Sequence, residues 1–184
     1  MSIASGHGIA TITDGISSAQ TSTVLDVWFP HPLLAPLSAK PEATLTELVS
    51  KDELRGVKRE LVSIEIDTDS APKDAIDAYL RLHLLSHRLV KPHGISLEGI
   101  FGLLTNVVWT NHGPCQIEGF EAVRAKLQAK FGQVTIYSVD KFPRMVDYVI
   151  PSRVRIADGD RVRLGAYLSS GTTVMHEGFV NFNA

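Results

Sequence analysis

The sequence holds a single cysteine, Cys115, among its 184 residues. One thiol closes no internal disulfide, which excludes a disulfide-stapled secreted scaffold and fits a reducing compartment. A basic excess is missing as well: 18 Lys and Arg stand against 20 Asp and Glu, a net charge of −2. A broad electrostatic surface for DNA or RNA is therefore not expected. Long hydrophobic runs are absent too. The longest, residues 99–109, is broken by Gly102, Thr105 and Asn106 and falls well short of the ~20 residues that span a bilayer. The first residues, MSIASGHGIATITDG, lack the basic start and apolar run of a signal peptide. The expectation is a soluble, cytoplasmic protein with neither nucleic acid nor membrane as partner.

What is present is ordinary globular material. Hydrophobic residues make up 44% and charged residues 21%, enough for a real core in one or two domains. Ile9, Thr11 and Thr13 alternate with Ala10 and Ile12, 24–29 is a second β-rich run, and Asp14-Gly15 between them is a turn signal. Prolines at 30, 32, 36 and 41 mark a connector. A short helix is expected over 44–49 and a half-buried strand over 62–66. Asp69-Ser70-Ala71-Pro72 then offers a cap and a first-turn proline for a helix reaching Leu89. A buried strand over 103–109, a helix over 119–130 ended by Gly132, and a strand over 134–139 follow. This alternation predicts one compact βαβαβ unit from about Arg59 to Asp140.

The last segment follows a different rule. Ile150, Ile156, Val162, Leu168, Val174 and Val180 recur every six residues without a miss. Four positions after each stand Val154, Asp160, Ala166, Thr172, Gly178 and Ala184, mostly small. Neither a helix nor an alternating strand has period six. A β-helix does, with each hexapeptide forming one flat side of a triangular coil and its aliphatic residue pointing inward. Three hexapeptides close a coil, so 150–184 holds about two. A solenoid needs more layers and a cap, so the chain is expected to be the N-terminal portion of a longer one.

The blocks LTNVVWTNHGPCQIEGFEAVRAKL, DKFPRMVDY and VDYVIPSRVRIADGDRVRLGAYLSSGTTVMHEGFVNFNA, with the helical DAYLRLHLLSHRLVKPHG, resemble tetrahydrodipicolinate N-succinyltransferase in its actinobacterial form. The resemblance covers nearly all of residues 64–184. It implies α/β N-terminal and middle domains followed by the start of a left-handed parallel β-helix. The expected parts are a β-rich region and connector over 1–58, an α/β domain over 59–147, and the first hexapeptide coils over 148–184. It implies an acyltransferase that moves a succinyl group from succinyl-CoA to tetrahydrodipicolinate, in diaminopimelate and lysine biosynthesis, working as a homotrimer. The family's catalytic glutamate falls beyond Ala184, so the 184-residue chain is expected to be inactive alone and no catalytic residue is assigned. Another CoA-dependent hexapeptide acyltransferase and a non-catalytic trimerisation module are the alternative readings.

Asp160 and Glu177 are 17 residues apart, one short of a coil. They are expected near one corner on adjacent coils, about one strand spacing of ~5 Å apart. Three copies gathered on a threefold axis would favour a hard cation, Mg²⁺ or Ca²⁺, and the resemblance assigns metal positions to the same two residues. Ordinary solvated acids are the alternative. Arg153, Arg155, Arg161 and Arg163 read mostly as a solvated arginine face. His83 and His87 have an i, i+4 spacing but no HExxH glutamate, which makes a helix-surface or half-buried pair the expectation. His112 and Cys115 lack a second ligand pair for zinc, and Cys115 reads as a buried, inert thiol. His176, the only histidine within the repeats, is either a surface residue or an acyl-transfer base.

Overall fold

The computed structural model describes residues 2–14, 22–37 and 40–184. Gly15, half of the expected first turn, lies outside them. Strand β1 (Ile3–Thr13) is the spine of the first sheet. It pairs antiparallel with β2 (Val24–Trp28) on one side. On the other it pairs with all eleven residues of β4 (Val57–Asp67), and β3 (Ser50–Asp52) completes the order β2-β1-β4-β3. Between β2 and β3 the expected short helix is α1 (Ala43–Glu47).

One face of this sheet receives Phe29, which is wholly buried. A Cβ on Gly8 would stand 2.6 Å from the Trp28 carbonyl oxygen and 2.8 Å from the Phe29 ring. Only glycine lets that ring lie against the strand.

Helix α2 (Ala75–Ser86) packs on the same face. Asp74 caps it, its carboxylate accepting the Asp77 N–H at 2.9 Å. The start expected at Asp69–Pro72 is a turn instead: the Asp67 carboxylate takes up the Asp69 N–H and the Ser70 hydroxyl. The helix stops at Ser86 rather than Leu89, and Arg88 turns left-handed at φ 63°.

Every residue from Asp77 to Ser86 is buried, so each polar side chain there requires a partner. Arg81 pairs with Asp77 at 2.6 Å and donates to the carbonyls of Asp67, Thr68 and Ser96. Tyr79 donates to the Leu25 carbonyl. His83 lies 2.8 Å from the Tyr79 carbonyl through Nδ1 and accepts the Phe29 N–H at Nε2. The second contact makes Nε2 the acceptor, so Nδ1 carries the proton.

The expected single βαβαβ unit is two separate sheets. Its first strand belongs to β4, which β1 claims along its whole length, so residues 58 and 59 sit within one continuous strand. The rest forms a second antiparallel sheet of order β6-β5-β7. It comprises β5 (Val107–Thr110), β6 (Gly113–Cys115) and β7 (Ile136–Asp140), with helix α4 (Phe120–Phe131) packed on it through Phe120 and Leu127. Antiparallel pairing through the short β5–β6 hairpin replaces the parallel crossover a βαβ unit requires. Leu103, expected to open the strand over 103–109, instead ends the short helix α3 (Ile100–Leu103).

From residue 153 on, the chain stacks on itself. Strand β8 (Arg155–Ile156) pairs parallel with β9 (Thr173–Val174), and Val162 bridges Val180 in the same sense. Each pair is offset by 18 residues, the length of three hexapeptides. Val162, Leu164, Ala166, Leu168 and Val174 join the same buried cluster as α2 and the first sheet. Gly165 is where they meet: its φ is 96°, and a Cβ would collide with Leu82 at 2.5 Å. Ser86 on α2 accepts the Gly165 N–H at 2.8 Å and donates to the Ala166 carbonyl.

Burial pushes His83 down from its ordinary 6.5 to about 3. The unfolded chain therefore takes up a proton that the folded chain refuses. This contribution to stability is full above pH 6.5, falls as pH drops through the window from 6.5 to about 3, and levels off below. Between neutral pH and about pH 4.5 the loss is about 2–3 kcal/mol. Denaturant unfolding at the two pH values should show that slope in the wild type, and His83→Gln should flatten it.

Candidate functional site

The stacked segment carries the residues singled out by the repeat, and the structure sorts them. Val162, Leu168 and Val174 are buried, and Ile156 and Val180 are half-buried against the same core. Ile150 breaks the frame, with 78% of its surface exposed. It precedes Pro151 and the first paired strand, so no second layer of chain covers it.

Asp160 sits in a tight turn, with its N–H held by the Asp158 carboxylate. Its own carboxylate is half exposed and lies 3.4 Å from the Arg144 guanidinium. Glu177 is exposed on the second layer. Among the described residues no group of three or more His, Cys, Asp or Glu is placed to hold a metal ion. Within one chain, two exposed carboxylates, one of them already facing an arginine, do not form a chelate.

The arginines divide. Arg153, Arg155 and Arg161 are exposed as expected. Arg163 is no solvated side chain: it pairs with Asp140 of β7 at 2.6 Å and bonds the Asn181 side-chain oxygen at 3.1 Å. With the Arg144–Asp160 contact it ties the stacked segment to the second sheet. The sequence held no sign of this, because Asp140 ends a strand of another layer.

The histidines divide too. His83 is fully buried, not the surface or half-buried residue expected, because its helix is covered on every side. His87 is half-buried, held low by burial and by nearby His31. Cys115 is buried, and burial pushes its thiol up, which leaves it inert. His176 is exposed.

An open groove of about 860 Å³ lies beside the end of α2. His31, Glu42, His87, Arg88, Tyr148 and Ile150 are among the residues lining it. Arg88 crosses it to the Ser152 carbonyl at 2.6 Å, and His31 lies 3.5 Å from Glu42. Sequence reasoning missed this groove because its walls come from four separate stretches of chain, the end of β2, α1, the end of α2 and residues 148–152. The Pro-rich stretch around His31 was the one local hint.

With this geometry in view, the comparisons with known proteins are specific. Residues 104–144, which hold β5, β6, α4 and β7, match the family described as tetrahydrodipicolinate N-succinyltransferase, middle. A 2,3,4,5-tetrahydropyridine-2,6-dicarboxylate N-succinyltransferase of Salinispora tropica is 51% identical over 189 aligned positions, covering 97% of this chain and 57% of that protein. One of the same name from Pseudomonas paraeruginosa is 52% identical over 143 positions, covering 78% of this chain and 41% of that protein. Among solved structures, a candidate 2,3,4,5-tetrahydropyridine-2-carboxylate N-succinyltransferase of Campylobacter jejuni superposes with a TM-score of 0.70. That match covers 98% of this chain and 58% of the other; at 24% identity the likeness is one of fold.

The sequence likeness points to one group, the N-succinyltransferases, and the structural likeness is one of fold. Across the residues it spans, the chain is similar in sequence to the tetrahydrodipicolinate N-succinyltransferases, and residues 104–144 match that family's middle part. The chain spans a little over half the length of the Salinispora relative.

Val162 and Ile150 occupy equivalent positions in the six-residue frame but opposite environments. Val162→Asp should destabilise the chain by at least ~3 kcal/mol, since it buries a carboxyl without a partner. Ile150→Asp should change stability by no more than ~0.5 kcal/mol. Thermal or denaturant unfolding of the two variants measures the contrast.

Proposed function

We propose that the chain is part of an enzyme transferring the succinyl group of succinyl-CoA to the amine of ring-opened tetrahydrodipicolinate, in diaminopimelate and lysine biosynthesis. The observation that carries this is 51% identity over 97% of the chain to a relative of that name. The reaction is amine attack on a thioester carbonyl. The amine loses a proton to a base, a tetrahedral oxyanion forms, and the C–S bond breaks to release CoA, which takes up a proton. None of the 184 residues is assigned the base.

The stacked segment fits the opening coils of a left-handed parallel β-helix, supported by the constant 18-residue offset of its three parallel pairs. A three-part organisation, with the second sheet as the middle part, fits the family match over 104–144. In this reading the working enzyme is a cytoplasmic homotrimer. Asp160 and Glu177 would gather in three copies on its axis around Mg²⁺ or Ca²⁺, a set of hard oxygen ligands that one chain lacks. The ion would neutralise six clustered carboxylates, and the proposal routes no step of the acyl transfer through it.

The test is CoA release from succinyl-CoA, dependent on tetrahydrodipicolinate. A protein carried to the relatives' full length should show it, and the 184-residue chain alone should not. Absence of turnover in the longer protein would contradict the reading. Mg²⁺ should raise the longer protein's melting temperature, and the shift should vanish in the Asp160→Asn, Glu177→Gln double variant. An equal shift in both would remove the axial site.

A further inference from the structure

A second cleft, of about 360 Å³, opens between the two sheets, and the function proposed above makes no use of it. Its floor follows from strand register. Thr11 of β1 is paired with Asp26 of β2 on one side and with Arg59 of β4 on the other. Directly paired residues project from the same face, and strands lie ~4.8 Å apart. Asp26 and Arg59 therefore rise from one face with their backbones roughly 10 Å apart, and both line the cleft.

The charged groups around this cleft have partners, with one exception. Asp26 is buried, and its carboxylate takes the Tyr148 hydroxyl at 2.6 Å and hydrogen bonds from Thr11. Burial raises its proton affinity, and the cation that partly offsets this is Arg55, itself held by Asp52 and the Pro114 carbonyl. Arg144 lies over the Tyr137 ring at 3.8 Å and grips Asp147 through two hydrogen bonds, at 2.9 and 3.0 Å. Arg59 is half-buried, and among the described residues its guanidinium has no hydrogen-bond or ion-pair partner. A guanidinium so placed, with five donors and no acceptor, calls for an anion.

The walls define the rest of the ligand. Trp28, Trp109, Tyr137 and Tyr148 line the cleft. Both indole N–H groups are already engaged, Trp28 with the Tyr148 carbonyl and Trp109 with the Asp140 carbonyl. The rings therefore offer apolar surface rather than donors, which suits a flat ring. One free cation beside the Asp26 and Asp147 carboxylates suits a monoanion and disfavours a dianion such as a phosphate. We propose that this cleft binds a small planar-ring monocarboxylate, with Arg59 gripping the carboxylate and the tryptophans flanking the ring. The site is independent of the acyl-transfer reading, which assigns no residue of this cleft a role.

The chain has two tryptophans, and both line this cleft; Trp28 also lines the larger groove, so the fluorescence is read in the Trp28→Phe variant, where Trp109 reports on this cleft. The 184-residue chain with that substitution is titrated with nicotinate and with nicotinamide, a matched pair differing in the charge of one group. The expected result is a saturable change with nicotinate that weakens with added salt, and a response to nicotinamide at least about tenfold weaker. In the same background Arg59→Gln should weaken nicotinate binding by about tenfold or more, and Arg59→Lys, which keeps the charge but loses the fork, by a smaller factor. The melting temperature of each variant establishes that it is folded. No saturable nicotinate response in the Trp28→Phe chain, equal responses to the two probes, or undiminished binding by either folded Arg59 variant would overturn the proposal. No CoA is present, so the outcome does not depend on the acyl-transfer assay.

Discussion

A helix covered on every side cannot leave a polar side chain unpaired without a cost of about 1–3 kcal/mol for each, and more for a charge. Helix α2 is such a helix, and the rest of the fold is arranged around that constraint. Tyr79 and His83 bind the first sheet at β2 and just beyond it, through the Leu25 carbonyl and the Phe29 N–H. Arg81, neutralised by Asp77, gathers three carbonyls from the end of β4 and the loop at Ser96. Ser86 takes the backbone of the stacked segment at Gly165 and Ala166. Apolar burial supplies the bulk of the stabilisation; these bonds decide which pieces are placed together and in which register.

The stacked segment extends that logic. Each parallel pair repeats after 18 residues, so the first layer is a template for the second. The first layer is itself positioned from two directions. Ser86 holds it against α2, while Arg163 pairs with Asp140 of β7 and Arg144, lying over Tyr137 of β7, reaches Asp160. A coil built on these layers would inherit its direction from α2 and β7.

The six-residue frame was readable because an inward aliphatic every sixth residue is a local, repeating demand, and Val162, Leu168 and Val174 meet it. Ile150 shares the frame but not the burial, because the frame does not reveal where the second layer begins. The helices over 75–86 and 120–131 were legible from their apolar spacing. Their boundaries were less so: Asp74 rather than Asp69 caps α2, a choice between two good capping residues that packing decides. Which strands pair was not legible at all. The alternation over 62–66 fits any partner, and β1 took it. The Arg59 cleft stayed hidden for the same reason, since Asp26, Thr11 and Arg59 meet only through strand register. The repeats brought Asp160 and Glu177 to attention, but the Arg144 contact to Asp160 depends on a tertiary approach that spacing cannot show.

Helix α2 couples the first sheet to the stacked segment. Amide hydrogen exchange tests this at two protons, the Phe29 N–H bonded to His83 and the Gly165 N–H bonded to Ser86. Neither touches Arg81. Arg81→Ala strands the buried Asp77 carboxylate and should cost about 3–5 kcal/mol. If α2 couples the two regions, the opening free energies of both amides fall together and by the same amount. If Phe29 loses protection while Gly165 keeps it, the stacked segment is held by something other than α2, and α2 does not couple the two regions.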